Sequence, residues 1–283
     1  MIGYQAMLKS IPRLDIMIAY SCNISCRGCI SLSDFSRNGV ARLNDITKWI
    51  EHWSTMLQPE VVALFGGEPC LHPELIEICS QVRKAWPETT IRLITNGYLL
   101  KNFDSASWFD FEPFEMQVSM HRADHRNIID QAIKNILLTH KGWKIKISED
   151  PQDHCQISWQ LGNFKIYKSV FKDFVVPFRS QDNRILPWMS DPAEAHAICG
   201  SPSTPILYKG RLYKCPAVAN VMDITGTNWF DYEPCSDAAQ LDQFVAGIGV
   251  PESVCGQCPS RSQAVVIDHL NTVNVVVKQK SLS

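Results

Sequence analysis

The residues best suited to chemistry are three closely spaced cysteines in the first thirty positions. Cys22, Cys26 and Cys29 stand at C-x3-C-x2-C spacing and directly follow the apolar run of residues 14–19. Thiolates bind zinc and iron–sulfur clusters, and both a closed zinc site and the common 4Fe–4S cluster take four protein ligands. Three cysteines therefore leave one metal position open for a reacting molecule, unless a distant fourth ligand completes a zinc site.

A second group of cysteines lies in the last third of the chain. Its members are Cys199, Cys215, Cys255 and Cys258, and the last two form a C-x2-C knuckle. Four thiolates make a complete tetrahedral donor set, which suits either zinc or a cluster without an open position. The sequence thus predicts one open and one closed metal centre.

Composition limits the remaining possibilities. The 283-residue chain is 45% hydrophobic and has a net charge of −2, with no run rich in lysine or arginine. It can bury a sizeable core, and it lacks the basic patch expected of a DNA-binding protein. No signal-peptide pattern or apolar run of transmembrane length is present, so we expect no membrane partner and a cytoplasmic location. In a reducing compartment, eleven cysteines indicate metal or redox chemistry rather than disulfides.

The elements that must position these cysteines follow from hydrophobic periodicity. Short apolar runs predict strands at residues 14–19, 61–65, 91–95, 116–119, 144–147 and 174–176. Helical spacing predicts helices from residue 44 or 45 to 57, ended by a proline at 59, and over 73–86 and 124–141. Alternating strands and helices favour a parallel sheet, whose reacting groups gather at the carboxyl ends of the strands. The cysteine triad, residues 66–69 and residues 96–97 all follow predicted strands and share that edge.

The last hundred residues have a different pattern. Prolines replace the long helical patterns, residues 206–214 predict a hairpin, and residues 264–278 alternate like a strand. We therefore place a domain boundary near residue 180, giving domains of 1–180 and 181–283.

The first two-thirds of the chain resemble the radical SAM superfamily. The resemblance lies in the cysteine triad with Asn23 after its first member, and in the segment after the second strand, Gly66, Gly67, Glu68 and Pro69. It implies a partial (β/α)6 TIM-like barrel and a 4Fe–4S cluster held by Cys22, Cys26 and Cys29. It also implies S-adenosylmethionine bound to that cluster, with residues 66–69 at its methionyl amino group.

By the same resemblance, S-adenosylmethionine is reductively cleaved to a 5′-deoxyadenosyl radical, with an electron from a donor such as flavodoxin or ferredoxin. The family usually has an aromatic residue where this chain has Gly28, whose carbonyl is expected to contact the adenine. Ser119 and Arg179 are carried over as further cofactor-binding residues.

The C-terminal cysteines, with residues 210–216 and a final Cys-x-x-Cys-Pro, resemble the twitch subdomain, a short form of the SPASM extension. This implies a small cysteine-rich subdomain with an auxiliary 4Fe–4S cluster on Cys199, Cys215, Cys255 and Cys258. A zinc knuckle is the alternative.

Three further residues are candidates for catalysis. Cys70 and Cys235 are candidate hydrogen-atom donors to a substrate radical, and His121 is a candidate substrate ligand or proton acceptor. The alternatives are packed cysteines and a residue at a helix start.

Three functions remain open on these grounds. The first is oxidation or epimerisation of a small or sugar-like substrate. The second is modification of a ribosomally made peptide, and the third is a non-catalytic zinc protein. The short stretch before Leu14 favours the first over the second, because many peptide-modifying relatives carry a leader-binding domain there.

Overall fold

The structure, a computed structural model, describes residues 8–35, 37–148, 155–170, 173–181, 184–268 and 274–275. Its strands are β1 (Lys9–Ala19), β2 (Ile24–Ser25), β3 (Leu57–Gly66), β4 (Thr90–Thr95), β5 (Phe114–Met120), β6 (Lys144–Ile147), β7 (Cys155–Leu161), β8 (Phe164–Val170), β9 (Asp173–Val175), β10 (Arg179–Gln181), β11 (Arg184–Leu186), β12 (Ile206–Tyr208), β13 (Arg211–Tyr213), β14 (Val266–Asp268) and β15 (Asn274–Val275). Its α-helices are α1 (Leu43–Ser54), α2 (Leu75–Ala85), α3 (Arg126–Thr139), α4 (Pro192–Ala197), α5 (Pro216–Thr225) and α6 (Ala238–Ala246).

The main sheet has nine strands in the order β13-β12-β1-β3-β4-β5-β8-β7-β6. The strands from β12 to β8 in this order run parallel, while β13, β7 and β6 pair antiparallel at the two edges. This mixed α/β sheet fits the expected partial TIM-like barrel.

Side-chain alternation in the strands separates a helix-covered face from an inner face. On β1, Leu14, Ile16 and Ile18 are fully buried in the main hydrophobic core, together with the apolar stripes of α1, α2 and α3. Asp15 and Met17 alternate with them and point to the inner face. The main hydrophobic core lies on the helix-covered face, so the inner face of the sheet can carry polar side chains.

The first helix ends earlier than the sequence predicted. It stops at Ser54, and the proline expected to end it, Pro59, instead lies in β3 opposite Ile11 of β1. The pairing of β3 with β4 begins only at Val61, so Pro59 occupies the part of the strand that has one neighbour. A missing N–H is tolerated there.

The predicted fifth and sixth parallel strands were wrong. The segment 144–147 is β6, an exposed antiparallel edge strand, and 174–176 overlaps β9, which pairs antiparallel with β14 outside the main sheet. The parallel partner of β5 is β8, in which buried Phe164 and Ile166 alternate with polar residues. Buried parallel strands were predicted from continuous apolar runs, and the alternation in β8 interrupts such a run, so β8 was not predicted.

The sixth parallel strand comes from the other side of the predicted domain boundary. The hairpin predicted at residues 206–214 is confirmed as β12 and β13, and β12 pairs in parallel with β1. The main sheet thus includes residues on both sides of position 180, and the division into 1–180 and 181–283 stays a prediction. The strand-like tail includes β14 and β15, and its positions 269–273 and 276–278 lie outside the described residues.

Within the described ranges, the helices are all too short or too polar to cross a membrane.

Candidate active site

One large cavity lies where the parallel strands end. Its volume is about 860 Å³, in the upper part of the range of roughly 300–1,000 Å³ found for ligand pockets. Both groups of cysteines line it: Cys22, Cys26, Cys29, Cys199, Cys215, Cys255 and Cys258. The structure therefore brings the two predicted metal centres to a common space.

The cysteine triad lies in a loop of tight turns after β1. The N–H of Cys29 donates to the carbonyl of Cys26 at 3.1 Å, and the N–H of Leu32 donates to the carbonyl of Cys29 at 2.9 Å. The three cysteines pack around buried Ile24. Burial, reinforced by the neighbouring cysteines, raises the pKa of the Cys26 thiol, and burial likewise raises the pKa of Cys22. Both therefore remain protonated until a metal displaces the proton.

Gly66 and Gly67 hold this loop against the end of β3. A Cβ atom on Gly66 would stand 2.2 Å from the carbonyl oxygen of Ala19, and one on Gly67 would stand 2.2 Å from that of Ser21. The N–H of Gly67 donates to the Ala19 carbonyl at 2.9 Å, and the hydroxyl of Ser31 donates to the Gly66 carbonyl at 2.7 Å. Besides their expected place at the methionyl amino group, the two glycines therefore allow the backbone of the cysteine loop to approach β3 closely.

Glu68 is completely buried and does not line the cavity. Its Oε1 accepts from the Cys70 N–H at 2.9 Å and from the Thr95 hydroxyl at 2.7 Å, and its Oε2 accepts from the Asn96 N–H at 2.7 Å. Burial raises its pKa, while these hydrogen bonds oppose the rise. Glu68 therefore fixes the end of β3 to the end of β4, and the structure does not place it in contact with the cavity. Pro69 is also buried and outside the lining.

Asn96 connects this turn to the cysteine triad. Its side-chain amide donates to Oδ1 of Asn23 at 2.7 Å and lies 3.7 Å from Sγ of Cys22. Asn96 and its neighbour Thr95 both line the cavity, and the sequence analysis assigned neither a role. The only sequence feature that pointed to a role for these two residues was their position at the end of the third predicted strand.

The four C-terminal cysteines come from three segments that meet at a second part of the cavity wall. Cys199 follows α4, Cys215 is the residue before α5, and Cys255 and Cys258 lie on and just after the 3₁₀ helix Ser253–Gln257. The N–H of Ser201 donates to Sγ of Cys199 at 3.3 Å. Burial raises the pKa of Cys215 to about 12, and N–H groups at the start of α5 oppose the rise. A buried thiol with N–H donors aimed at its sulfur is suited to metal ligation.

Arg37 links the two cysteine-bearing walls. It is 7% exposed, and it donates to the Ser31 carbonyl in the triad loop at 3.3 Å. On the other side it donates to Tyr208 at 2.6 Å, to Asp223 at 3.1 Å and to the side chain of Asn220. The last two residues belong to α5, so one buried guanidinium positions that helix against the loop.

The inner face of the sheet forms the polar floor of the cavity. Arg13 and Asp15 of β1 line it as an ion pair, and Gln117, Ser119 and Ser169 line it from β5 and β8. His121, just after β5, lines it as well. The predicted contacts Ser119 and His121 are therefore at the cavity, as is Gly28 in the triad loop.

Besides Glu68 and Pro69, three further predicted site residues are not at the cavity. Cys70 is buried with its sulfur 3.4 Å from the Thr95 hydroxyl, and Cys235 is buried in the main core, where its backbone pairs with Leu212. Arg179 is exposed on β10 and donates to the carbonyl of Pro187 at 2.9 Å. The candidate hydrogen donors and this cofactor contact are thus placed elsewhere by the packing of the segments that carry them.

The donor set fits iron–sulfur chemistry by type. Among the described residues, no three His, Cys, Asp or Glu side chains are already gathered around a position for a single metal ion. Three thiols on one wall and four on the other nevertheless provide the ligand types and numbers of an open and a closed cluster.

Fold and cavity together define the class of the protein: an α/β partial barrel with a thiol-rich ligand site at the carboxyl ends of its parallel strands. Residues 16–111 match the sequence model of the Radical SAM superfamily, so the chain contains a radical SAM superfamily domain. This domain implies a 4Fe–4S cluster and S-adenosylmethionine as cofactors.

Similar proteins agree with this assignment at low identity. The chain is 29% identical over 99 residues to a GTP 3′,8-cyclase of Microcystis aeruginosa, covering 34% of this chain and 30% of the relative. It is 29% identical over 126 residues to the GTP 3′,8-cyclase of Pectobacterium atrosepticum, covering 43% and 37%. The chain thus spans about a third of the length of these relatives. The crystal structure of BtrN in complex with AdoMet and 2-DOIA matches with a TM-score of 0.51 and 13% identity, covering 91% of this chain and 96% of BtrN, which shows a shared fold.

Proposed function

We propose that the protein is a radical SAM enzyme that oxidises or epimerises a small, sugar-like molecule. One observation carries the proposal: an open set of three cysteines and a complete set of four line the same cavity, above a polar floor whose described arginine, Arg13, is paired with Asp15. The four-cysteine set is proposed to hold an auxiliary 4Fe–4S cluster of the twitch type. The location is proposed to be cytoplasmic, with flavodoxin or ferredoxin as electron donor.

When bound, the cluster and S-adenosylmethionine supply a radical that abstracts a hydrogen atom from the substrate. The residues of the chain would position these cofactors. Cys22, Cys26 and Cys29 would hold the cluster, and the backbone of Gly66 and Gly67 would border the cofactor. The walls of the cavity would shield a reactive intermediate from part of the surrounding water.

The charges of the cavity favour a substrate that is not highly anionic. The described lining residues include one arginine, Arg13, and one lysine, Lys214. Arg13 is paired with Asp15, and the ammonium of Lys214 donates to two carbonyls and to Glu252 at 2.6 Å. A nucleoside triphosphate needs several available cations, so this cavity fits GTP poorly even though the relatives are named GTP cyclases. The fold shared with BtrN, which was crystallised in complex with AdoMet and 2-DOIA, supports a small substrate.

The test is metal content with matched variants. Anaerobically purified protein is expected to hold about eight irons per chain if both sites carry a 4Fe–4S cluster. Cys215→Ser is expected to lower this to about four. Cys235→Ser removes a buried cysteine outside the cavity and should leave the iron content unchanged. Reduced enzyme should release 5′-deoxyadenosine from S-adenosylmethionine, and Cys26→Ala should not. Stoichiometric zinc without iron would refute the proposal in favour of a zinc protein.

A further inference from the structure

The floor of the cavity contains a buried ion pair whose side-chain hydrogen bonds, among the described residues, join two positions of the same strand. Asp15 is 2% exposed and accepts from Arg13 through Nε at 2.5 Å and Nη2 at 3.0 Å. Both residues belong to β1 and both line the cavity. Burying a carboxylate is costly, even in a bidentate pair, and an apolar residue would serve a purely structural role as well.

The pair is incomplete as a hydrogen-bonding unit. Each oxygen of Asp15 accepts one bond from Arg13 and has a second acceptor position, and Nη1 of Arg13 has no protein partner among the described residues. Lys214, the other lining cation, differs because its ammonium makes three bonds to protein oxygens. Donor and acceptor positions of the Arg13–Asp15 pair therefore remain available on the cavity side.

The position of the pair suits a ligand below the cofactor. Asp15 lies four residues before Ala19, which contacts the glycine turn, so the two are separated by about 13 Å along the strand. Gln117, Ser119 and Ser169 extend the polar wall from β5 and β8, with Ser119 and Ser169 side by side in register. Neutral donors and acceptors thus surround the space above the ion pair.

We propose that the Arg13–Asp15 pair is a substrate-recognition subsite that binds adjacent hydroxyl or amino groups of a polyhydroxylated small molecule. A hydroxyl group both donates to the carboxylate and accepts from Nη1, so two neighbouring groups on one ring complete the pair. An anionic ligand is disfavoured because the charge of Arg13 is already neutralised by Asp15. This inference rests on the proposed function, since it assumes that the cavity receives a substrate.

The same sheet provides a matched control. Asp15, Ala63, Arg92 and Glu115 stand in register across β1, β3, β4 and β5, and Arg92 and Glu115 form an ion pair at 2.6 Å. This second pair is of similar type and lies on the same face, but it does not line the cavity. Replacing Glu115 perturbs the same face of the sheet but leaves both hydrogen bonds between Arg13 and Asp15 in place, and Asp15 senses this pair only through the charge of Arg92.

The experiment measures binding of myo-inositol, glucosamine and GTP to the anaerobically loaded enzyme by equilibrium dialysis. Wild type is expected to bind at least one of the two polyols more tightly than GTP. Asp15→Asn, which keeps the size of the side chain, should weaken that binding roughly tenfold or more, as expected for lost hydrogen bonds to a charged group. Arg13→Gln is the second variant should Asp15→Asn fail to fold, and Glu115→Gln should bind like wild type.

Other outcomes overturn the subsite. They are tighter binding of GTP, no binding of either polyol, or equal binding by wild type and both subsite variants. Release of 5′-deoxyadenosine by the wild type is measured separately, so a failure of the proposed function is distinguished from a failure of the subsite alone.

Discussion

Replacing Glu68 by glutamine tests whether this residue fixes the glycine turn or only serves as a cofactor ligand. A glutamine oxygen can replace Oε1 toward Cys70 and Thr95, but its amide then faces the N–H of Asn96, donor against donor. Leaving a buried donor unsatisfied costs about 1–3 kcal/mol, and the two remaining bonds lose a charged acceptor. We therefore expect Glu68→Gln to lower the free energy of unfolding by about 3 kcal/mol.

The assay is urea unfolding of the metal-free protein, so that cofactor affinity does not enter the measurement. Glu74→Gln is the control, because Glu74 is exposed and its side chain caps no helix. S-adenosylmethionine binding to the loaded protein is measured in parallel. If the variant unfolds like wild type and loses only cofactor binding, Glu68 is a direct ligand and the positioning role is refuted.

Three other perturbations follow from the same contacts. Gly67→Ala is expected to destabilise by at least about 2 kcal/mol, since its Cβ would overlap a carbonyl, whereas Gly200→Ala, with no atom within 4 Å of its Cβ, should change little in thermal unfolding. Arg37→Met should lower the free energy of unfolding by about 3 kcal/mol, because its buried partners lose their hydrogen bonds. The control Arg42→Met removes only an exposed ion pair and should cost less than about 1 kcal/mol. Equal effects of the two variants in urea unfolding would contradict this. Burial raises the pKa of Asp15 in the folded protein above its ordinary value of 3.8. The free energy of unfolding of the wild type, relative to Asp15→Asn, should therefore be highest below pH 3.8 and should fall as the pH rises through the higher folded pKa. If the difference between the two free energies did not change with pH, the raised pKa would be excluded.

The sequence predicted the rim of the site better than its floor. The cysteine triad and the glycine turn were visible because their spacing in the chain follows local backbone geometry: a tight loop after one strand and a turn after the next. Asp15 was missed because a single polar residue within an apolar run is expected for any strand that has one face in contact with solvent. Only pairing with β12 and β3 shows that this other face lines a cavity rather than bulk solvent.

Roles that depend on long-range packing were not predictable from the chain. Cys70 directly follows the glycine turn, so proximity suggested a place near the cofactor. In the 3₁₀ helix Pro69–Leu71 its sulfur instead lies against the Thr95 hydroxyl, and Cys70 itself does not line the cavity. Arg37 carried no signal, because its side-chain partners Tyr208, Asn220 and Asp223 lie more than 170 positions further along the chain.

The C-terminal cysteines are part of the cavity wall because the sheet holds them there. β12 pairs directly with β1, the hairpin it forms with β13 leads into Cys215 and α5, and Trp53 of α1 donates to the Gly210 carbonyl within that hairpin at 3.0 Å. Arg37 then ties α5 to the loop that carries the triad. A segment attached by a flexible linker would leave the separation of the two cysteine groups undefined. Here β1 ends in one group, its neighbour β12 leads toward the other, and the substrate space is bounded by both. Under the proposed function, this arrangement suits the oxidation of an alcohol, in which the carbon-bound hydrogen atom would leave toward one cysteine group, the hydroxyl proton would pass to a base such as His121 at the cavity, and the remaining electron would leave toward the other cysteine group.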